Sequence, residues 1–186
     1  MLDDSTRYVW IGIDADNQLF SIRSRVSEIK KQYNTADSGI TPPFHISLKM
    51  PFQLSDSVNE ITQSLYSFFS NLKSFAIPVK GYEYHENIVW IKMNESDVLN
   101  RISDDLNAML LTRYGIGLHQ YDGDHCFHVT LFMDGDAEKV KKCYDSILDE
   151  TLPDVIIAER FMVGISNSGE PGSYHVIREF TSEILK

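Results

Sequence analysis

The sequence predicts an α+β fold: two pseudo-symmetric β-α-β-α-β lobes, with antiparallel-rich sheets facing a central groove and helices on the outer faces. Three observations carry this. Strand-like and helix-like apolar periodicities alternate along the chain. The only two tryptophans, Trp10 and Trp90, each stand in a Val-Trp-Ile tripeptide, at 9–11 and 89–91. Two apolar runs, FHISLKMPF at 44–52 and FHVTLFMD at 127–134, repeat the order Phe, His, β-branched aliphatic, hydroxyl, Leu.

Each element follows from local pattern. RYVWIGI at 7–13 reads as a buried strand, and Leu19, Ile22, Val26, Ile29 and Tyr33 then recur at helical steps of three and four. FHISLKMPF is the second strand. Asp56 or Ser57 suits the cap of a second helix, with apolar face Val58, Ile61, Leu65, Phe68 and Leu72. SFAIPVKGYEY and NIVWIKM read as a hairpin, with weak turn chemistry at His85 and Glu86. Val98, Ile102, Leu106 and Met109 mark a third helix, broken by Gly115 and Gly117. After the second motif, Val140, Tyr144 and Ile147 mark a fourth. DVIIAERFMVGI and SYHVIREF close the chain as strands joined by the loop SNSGEPG.

The Val-Trp-Ile copies are offset by 80 residues and the histidine motifs by 83, in the same order of elements. This predicts a duplicated unit: one bilobal domain over 1–186, with halves at roughly 7–83 and 87–165 and a closing strand at 173–180. Across a pseudo-twofold axis, His45 and His128 become symmetry mates.

Composition bounds the partners. At 186 residues with a 42% apolar share, the chain can bury a core of its own. No run approaches the roughly 18 apolar residues of a membrane span, and MLDDSTR is acidic where a secretory leader is basic. A cytoplasmic monomer with free thiols at Cys126 and Cys143 is the expectation. The net charge of −10 argues against a long nucleic-acid track but leaves room for a short, singly phosphorylated end. The basic stretch KVKK at 139–142 reads as a solvated helix face.

Strand geometry explains the motif spacing. Alternate residues share a face, so His45 and Ser47 stand on one side while Phe44, Ile46 and Leu48 point into the core. His128 and Thr130 oppose Phe127, Val129 and Leu131 in the same way. Two such strands side by side make a groove with two imidazoles and two hydroxyls. That set suits phosphodiester chemistry with no metal and no cofactor. One histidine takes a proton from the attacking oxygen and the other protonates the leaving oxygen. Ser47 and Thr130 donate to the non-bridging phosphate oxygens.

At these residues the chain resembles the 2H phosphoesterase superfamily, defined by two His-x-Ser/Thr motifs each followed by an aliphatic residue. HISL and HVTL both match, and the likeness spans essentially the whole chain. FHISLKMPF, with Pro51 and Phe52, most resembles the bacterial 2′,5′-RNA ligase or RNA 2′,3′-cyclic phosphodiesterase branch, which belongs to RNA processing. The resemblance implies a phosphoric diester hydrolase that opens a 2′,3′-cyclic phosphate, or cleaves or reversibly joins a 2′,5′ linkage, at a nucleotide or short RNA terminus. It also implies His45 as proton donor and His128 as acceptor, roles that exchange with the direction of reaction. The second motif departs from relatives in lacking a proline before its histidine, and acidic Asp134 and Asp136 follow it.

Plainer readings stand beside this. A single strand histidine is more often structural, and only the matched pair points to catalysis. His125 and His128 in HCFH invite a metal site, but residues three apart on a strand face opposite sides. His85, His119 and His175 are expected in solvent. Lys49 is placed on the face of His45 and Ser47, where it either attracts phosphate or simply meets water. Tyr8, Tyr82, Tyr84 and Tyr121 are candidates for either a base-stacking platform or the core. The alternative to an enzyme is a non-catalytic nucleotide-binding module of the same fold.

Overall fold

A computed structural model describes residues 7–35, 43–54, 58–123, 126–170 and 172–182. Eight strands and four α-helices follow in order among the described residues: β1 (Arg7–Asp14), α1 (Phe20–Tyr33), β2 (His45–Leu54), α2 (Val58–Ser70), β3 (Phe75–His85), β4 (Ile88–Met93), α3 (Asp97–Tyr114), β5 (His128–Met133), α4 (Ala137–Ile147), β6 (Val155–Ala158), β7 (Arg160–Ser166) and β8 (His175–Thr181). The expected cap at Asp56 or Ser57 lies outside them. No helix among them is long and apolar enough to cross a membrane.

The strands form two antiparallel four-stranded sheets, ordered β2-β1-β7-β8 and β5-β4-β3-β6. Each motif strand is therefore an edge, and β2 and β5 lie against each other where the sheets meet. Pro51 is tolerated in β2 because an edge strand can spare an N–H. The sheets are not assembled from consecutive chain. Strand β3 pairs with β4 and β6 in the second sheet, while β7, from late in the chain, pairs with β1 in the first. DVIIAERFMVGI, read as one strand, divides at Glu159. The piece before it alternates exposed and buried residues beside β3; the piece after it is almost wholly buried between β1 and β8.

The helices cross over as well. Helix α1 packs on α4 and β5, and α3 packs on β2. Two corresponding hydrogen bonds tie the helix pairs: Tyr33 Oη with Ser146 Oγ at 3.1 Å, and Tyr114 Oη with Ser64 Oγ at 2.6 Å. Capping sets the ends. The Ser96 hydroxyl accepts from the Leu99 N–H at 3.3 Å, and Gly115 closes α3 at φ 66°, a left-handed conformation that glycine adopts without strain. The buried stripe of α3 is Leu99, Ile102, Leu106 and Leu110. Val98, expected inside, is exposed, and Met109 is only partly buried: the apolar face lies one residue further along than the i, i+4 count from Val98 suggests.

The core runs between sheets and helices. Phe44, Ile46, Leu48, Phe127, Val129 and Leu131 are all buried in it. At roughly 1.5–3 kcal/mol per large apolar side chain, these six residues hold the motif strands rigidly from behind.

Candidate active site

Behind each histidine the backbone does the same thing twice. His45 Nδ1 lies 2.8 Å from the Pro43 carbonyl oxygen, and His128 Nδ1 lies 2.8 Å from that of Cys126. A carbonyl only accepts, so Nδ1 carries the proton and donates it. The basic atom of each neutral ring is therefore Nε2, on the opposite edge. Both imidazoles are held in one tautomer, partly buried, with Ser47 and Thr130 two residues on and also partly buried.

Both rings are held below the usual imidazole range. Burial is the main cause pulling His45 from 6.5 down to about 4, and the charge of His128 adds to it against the opposing bond to Pro43. The charge of His128 thus reaches the His45 ring, as expected for residues on strands that lie against each other. His128 is also lowered, by burial first and then by Lys92 and His85, with the Cys126 carbonyl and Glu83 acting the other way.

A tryptophan underlies each histidine. The Trp10 ring meets His45 edge-on at 4.2 Å and 68°, and the Trp90 ring lies 4.1 Å from His128 at 33°. The two come from different strand positions. Opposite the first motif stand Gly12 with Ser47 and Asp14 with His45; opposite the second stand Trp90 with Thr130 and Lys92 with His128. Measured from the motifs, Gly12 rather than Trp10 corresponds to Trp90, so the Val-Trp-Ile copies are two residues out of register. The Trp10 indole instead lies over Gly12 and Gly164, where an added Cβ would come within 2.7 and 2.8 Å of it. From there its Nε1 donates to Ser47 Oγ at 3.2 Å. Trp90 Nε1 donates to Glu83 Oε2 at 3.3 Å. Met162, Tyr174, Tyr8 and Val176 pack around Trp10 as a small apolar cluster apart from the core.

Glu83 and His85 belong to this site, which sequence reasoning missed. Expected in solvent, His85 lies half-exposed with its ring 4.3 Å from Trp90, so that Trp90 has His85 and His128 as ring neighbours. Glu83 also binds Lys80 at 2.9 Å, which chiefly holds its carboxyl down at about 2. The available signal was hairpin alternation, which sets Glu83 with His85 and Trp90 with Lys92 on one face.

Lys49 is corrected. A β-bulge sets both Leu48 and Lys49 opposite Ile11, turning Lys49 away from the face of His45 and Ser47. It is 1% exposed and paired with Asp122, and it also donates to the Gly117 carbonyl at 2.8 Å. Asp122 further accepts from the Met50 and His119 N–H groups, at 3.0 and 2.6 Å. The same bulge follows the second motif, where Leu131 and Phe132 are both buried. Lys49 is thus neither a phosphate ligand nor a solvated strand end.

The remaining candidates fall into place. Asp136 caps α4, accepting from the Glu138 and Lys139 N–H groups at 3.0 and 3.2 Å, and Asp134 accepts from the Asp136 N–H at 3.0 Å. Tyr82 and Tyr84 pack on the core, Tyr8 joins the Trp10 cluster, and Tyr121 is exposed. His119 and His175 are exposed as expected. Cys126 and Cys143 are free thiols. His125, and with it the HCFH metal reading, lies outside the described residues.

Comparison with known proteins bears on this arrangement. Solved structures share the fold across nearly their full length. Escherichia coli LigT complexed with 3′-AMP matches at 15% identity and TM-score 0.57, over 96% of this chain and 99% of its own. TT0787 of Thermus thermophilus matches at 15% identity and TM-score 0.57, over 94% and 97%. A structure described as a phosphoesterase matches at 15% and 0.60, over 96% and 99%. No curated protein sequence matches the chain. The family model described as the 2′-5′ RNA ligase superfamily matches residues 18–160. With that match over most of its length, the chain belongs to the 2′-5′ RNA ligase superfamily of 2H phosphoesterases.

Proposed function

We propose that the protein is a metal-independent phosphodiesterase acting on a 2′,3′-cyclic phosphate, or on a 2′,5′-linked nucleotide or short RNA terminus. The observation that carries this is the matched pair of imidazoles on adjoining strands. Each has Nδ1–H tied to the carbonyl two residues earlier, leaving Nε2 basic, and each has a hydroxyl two residues later. LigT, of the same fold, has been crystallised with 3′-AMP and with phosphate, which supports a nucleotide phosphate as ligand.

In hydrolysis, one Nε2 takes a proton from water as its oxygen attacks phosphorus. The P–O3′ bond breaks, and the other imidazolium gives its Nε2 proton to the departing O3′, leaving a 2′-phosphate. Ser47 and Thr130 donate to the non-bridging oxygens. Because burial holds His45 down at about 4, its neutral ring is assigned as the base of hydrolysis, which leaves His128 as the acid. This reverses, for the hydrolytic direction, the roles that the family resemblance implies.

The test is turnover of 2′,3′-cyclic nucleotides with a chelator present. His45→Ala and His128→Ala should each lower kcat by about 100-fold or more. Near-normal activity in either variant sinks the two-histidine mechanism, and nucleotide binding by the wild type with no turnover of any cyclic or 2′,5′-linked substrate favours a binding module.

A further inference from the structure

The residues paired directly with the two histidines are Asp14 for His45 and Lys92 for His128. Cross-strand partners share a face, with Cα atoms about 4.5–5.5 Å apart. The two differ in how their charges are met. Asp14 is occupied: Oδ2 pairs with Arg160 at 3.0 Å, and Oδ1 accepts from the Asp16 N–H at 2.9 Å. Lys80, on the neighbouring strand, is likewise paired, with Glu83 at 2.9 Å.

Lys92 is met differently. Among the described residues its ammonium donates only to the Cys126 thiol, at 2.8 Å, and no carboxylate lies within ion-pair distance. Sulfur is a weak acceptor and leaves a partly buried cation largely uncompensated. On the same strand Val89, Ile91 and Met93 are buried in the core, so Lys92 stands with Trp90 on the opposite, groove face. Among the described residues, the charged or titratable groups around it are His128 and Cys126 on its β5 side, and Lys80, Glu83 and His85 on β3. Glu83 is already engaged by Lys80 and Trp90. Among the described residues, the one carboxylate of this corner is thus already engaged, and none is left for Lys92.

We propose that Lys92 is a phosphate-binding residue of this site: its ammonium leaves the Cys126 thiol and meets the non-bridging oxygens of a phosphoryl group lying between His128 and Thr130. The inference rests on reading the groove as a phosphoryl-transfer site. A lysine suits the task because its compact charge rides on a flexible stem that can swing between two partners. Bound there, the phosphate offsets the charge that Lys92 presents to His128 and makes a protonated His128 easier to hold. One cation then serves both transition-state stabilisation and the readiness of the acid.

The probe is inorganic phosphate, titrated into the full chain and followed by the imidazole resonances of His128 in NMR. Lys92→Met should weaken phosphate binding about tenfold or more, while Lys92→Arg, which keeps the charge, stays within about threefold. Without phosphate, the His128 titration midpoint should move up in Lys92→Met and stay in place in Lys92→Arg, because only the first removes the neighbouring cation. On a 2′,3′-cyclic nucleotide, kcat/KM should fall about 100-fold. Equal phosphate affinity in wild type and Lys92→Met overturns the proposal, as does a wild type that binds no phosphate. Lys92-dependent phosphate binding without turnover of any diester supports the anion site and removes the phosphodiesterase reading instead.

Discussion

The Trp10 indole nitrogen donates to the Ser47 hydroxyl oxygen at 3.2 Å, and that bond decides where the Ser47 proton points. With one lone pair taken from the floor of the groove, the hydroxyl is turned to donate outward, where a phosphate oxygen would lie. Among the described residues Thr130 has no such donor beneath it, because the Trp90 nitrogen is given to Glu83. Ser47→Ala should therefore cost about 100-fold in kcat/KM and more than Thr130→Ala. Trp10→Phe, which keeps the ring and removes the donor, should fall between Ser47→Ala and wild type. Steady-state kinetics on a 2′,3′-cyclic nucleotide reads the order.

Gly12 makes room for that indole. An added methyl would stand 2.7 Å from the Trp10 ring and 2.8 Å from the Ile46 carbonyl oxygen, and the second neighbour is backbone that cannot rotate away. Gly12→Ala is expected to destabilise the fold by about 1–3 kcal/mol, the usual cost of overpacking. Because Trp10 must shift, activity and the Trp10 fluorescence should change with it. Urea denaturation and the emission spectrum of a Trp90→Phe background check both.

Lys49 and Lys92 should behave as opposites. Removing the Lys49 charge strands Asp122 inside the protein, so Lys49→Met is expected to cost about 3–5 kcal/mol in urea unfolding. Lys92 stands at the groove and buries no carboxylate. Lys92→Met should leave the urea midpoint close to wild type. Similar midpoints for the two variants would contradict the burial assigned to Lys49.

Acid should loosen the fold through the histidines. His45 in the folded chain titrates at about 4, against 6.5 for an ordinary imidazole. Between those values the unfolded chain binds a proton that the folded one refuses, so stability is full above pH 6.5, declines as the pH falls to about 4, and then levels. His128 adds to the decline in the same direction. The urea midpoint should drop between about pH 7 and pH 5, and His45→Gln should drop less. An equal drop in both proteins would assign the acid sensitivity elsewhere.

Much of the candidate site was legible because a strand has a period of two. Once FHISL and FHVTL are strands, the apolar residues of each must share the core face, and His45, Ser47, His128 and Thr130 must share the other. That inference needs no partner strand. Lys49 shows where it stops: alternation carried past Leu48 puts the lysine in the groove, but the bulge opposite Ile11 adds a residue and sends it inward. A bulge is a property of two strands pairing, invisible in either alone. Lys92 and His85 were overlooked for the same reason, since only the β3-β4-β5 pairing brings them to His128.

The larger architecture divides along the same line. The amphipathic stripes of α1, α2 and α4, the break at Gly115 and the hairpin between β3 and β4 all arise from residues a few positions apart, and the sequence by itself determined them. So did the two-histidine character of the chain. The tertiary structure alone decided that β3 and β7 exchange sheets, that a run read as one strand parts at Glu159, and that Trp10 reaches Ser47 across Gly12 while Trp90 turns to Glu83. Those outcomes depend on register between strands far apart in the chain, set by which pairing buries both apolar faces at once, and no local pattern records that competition.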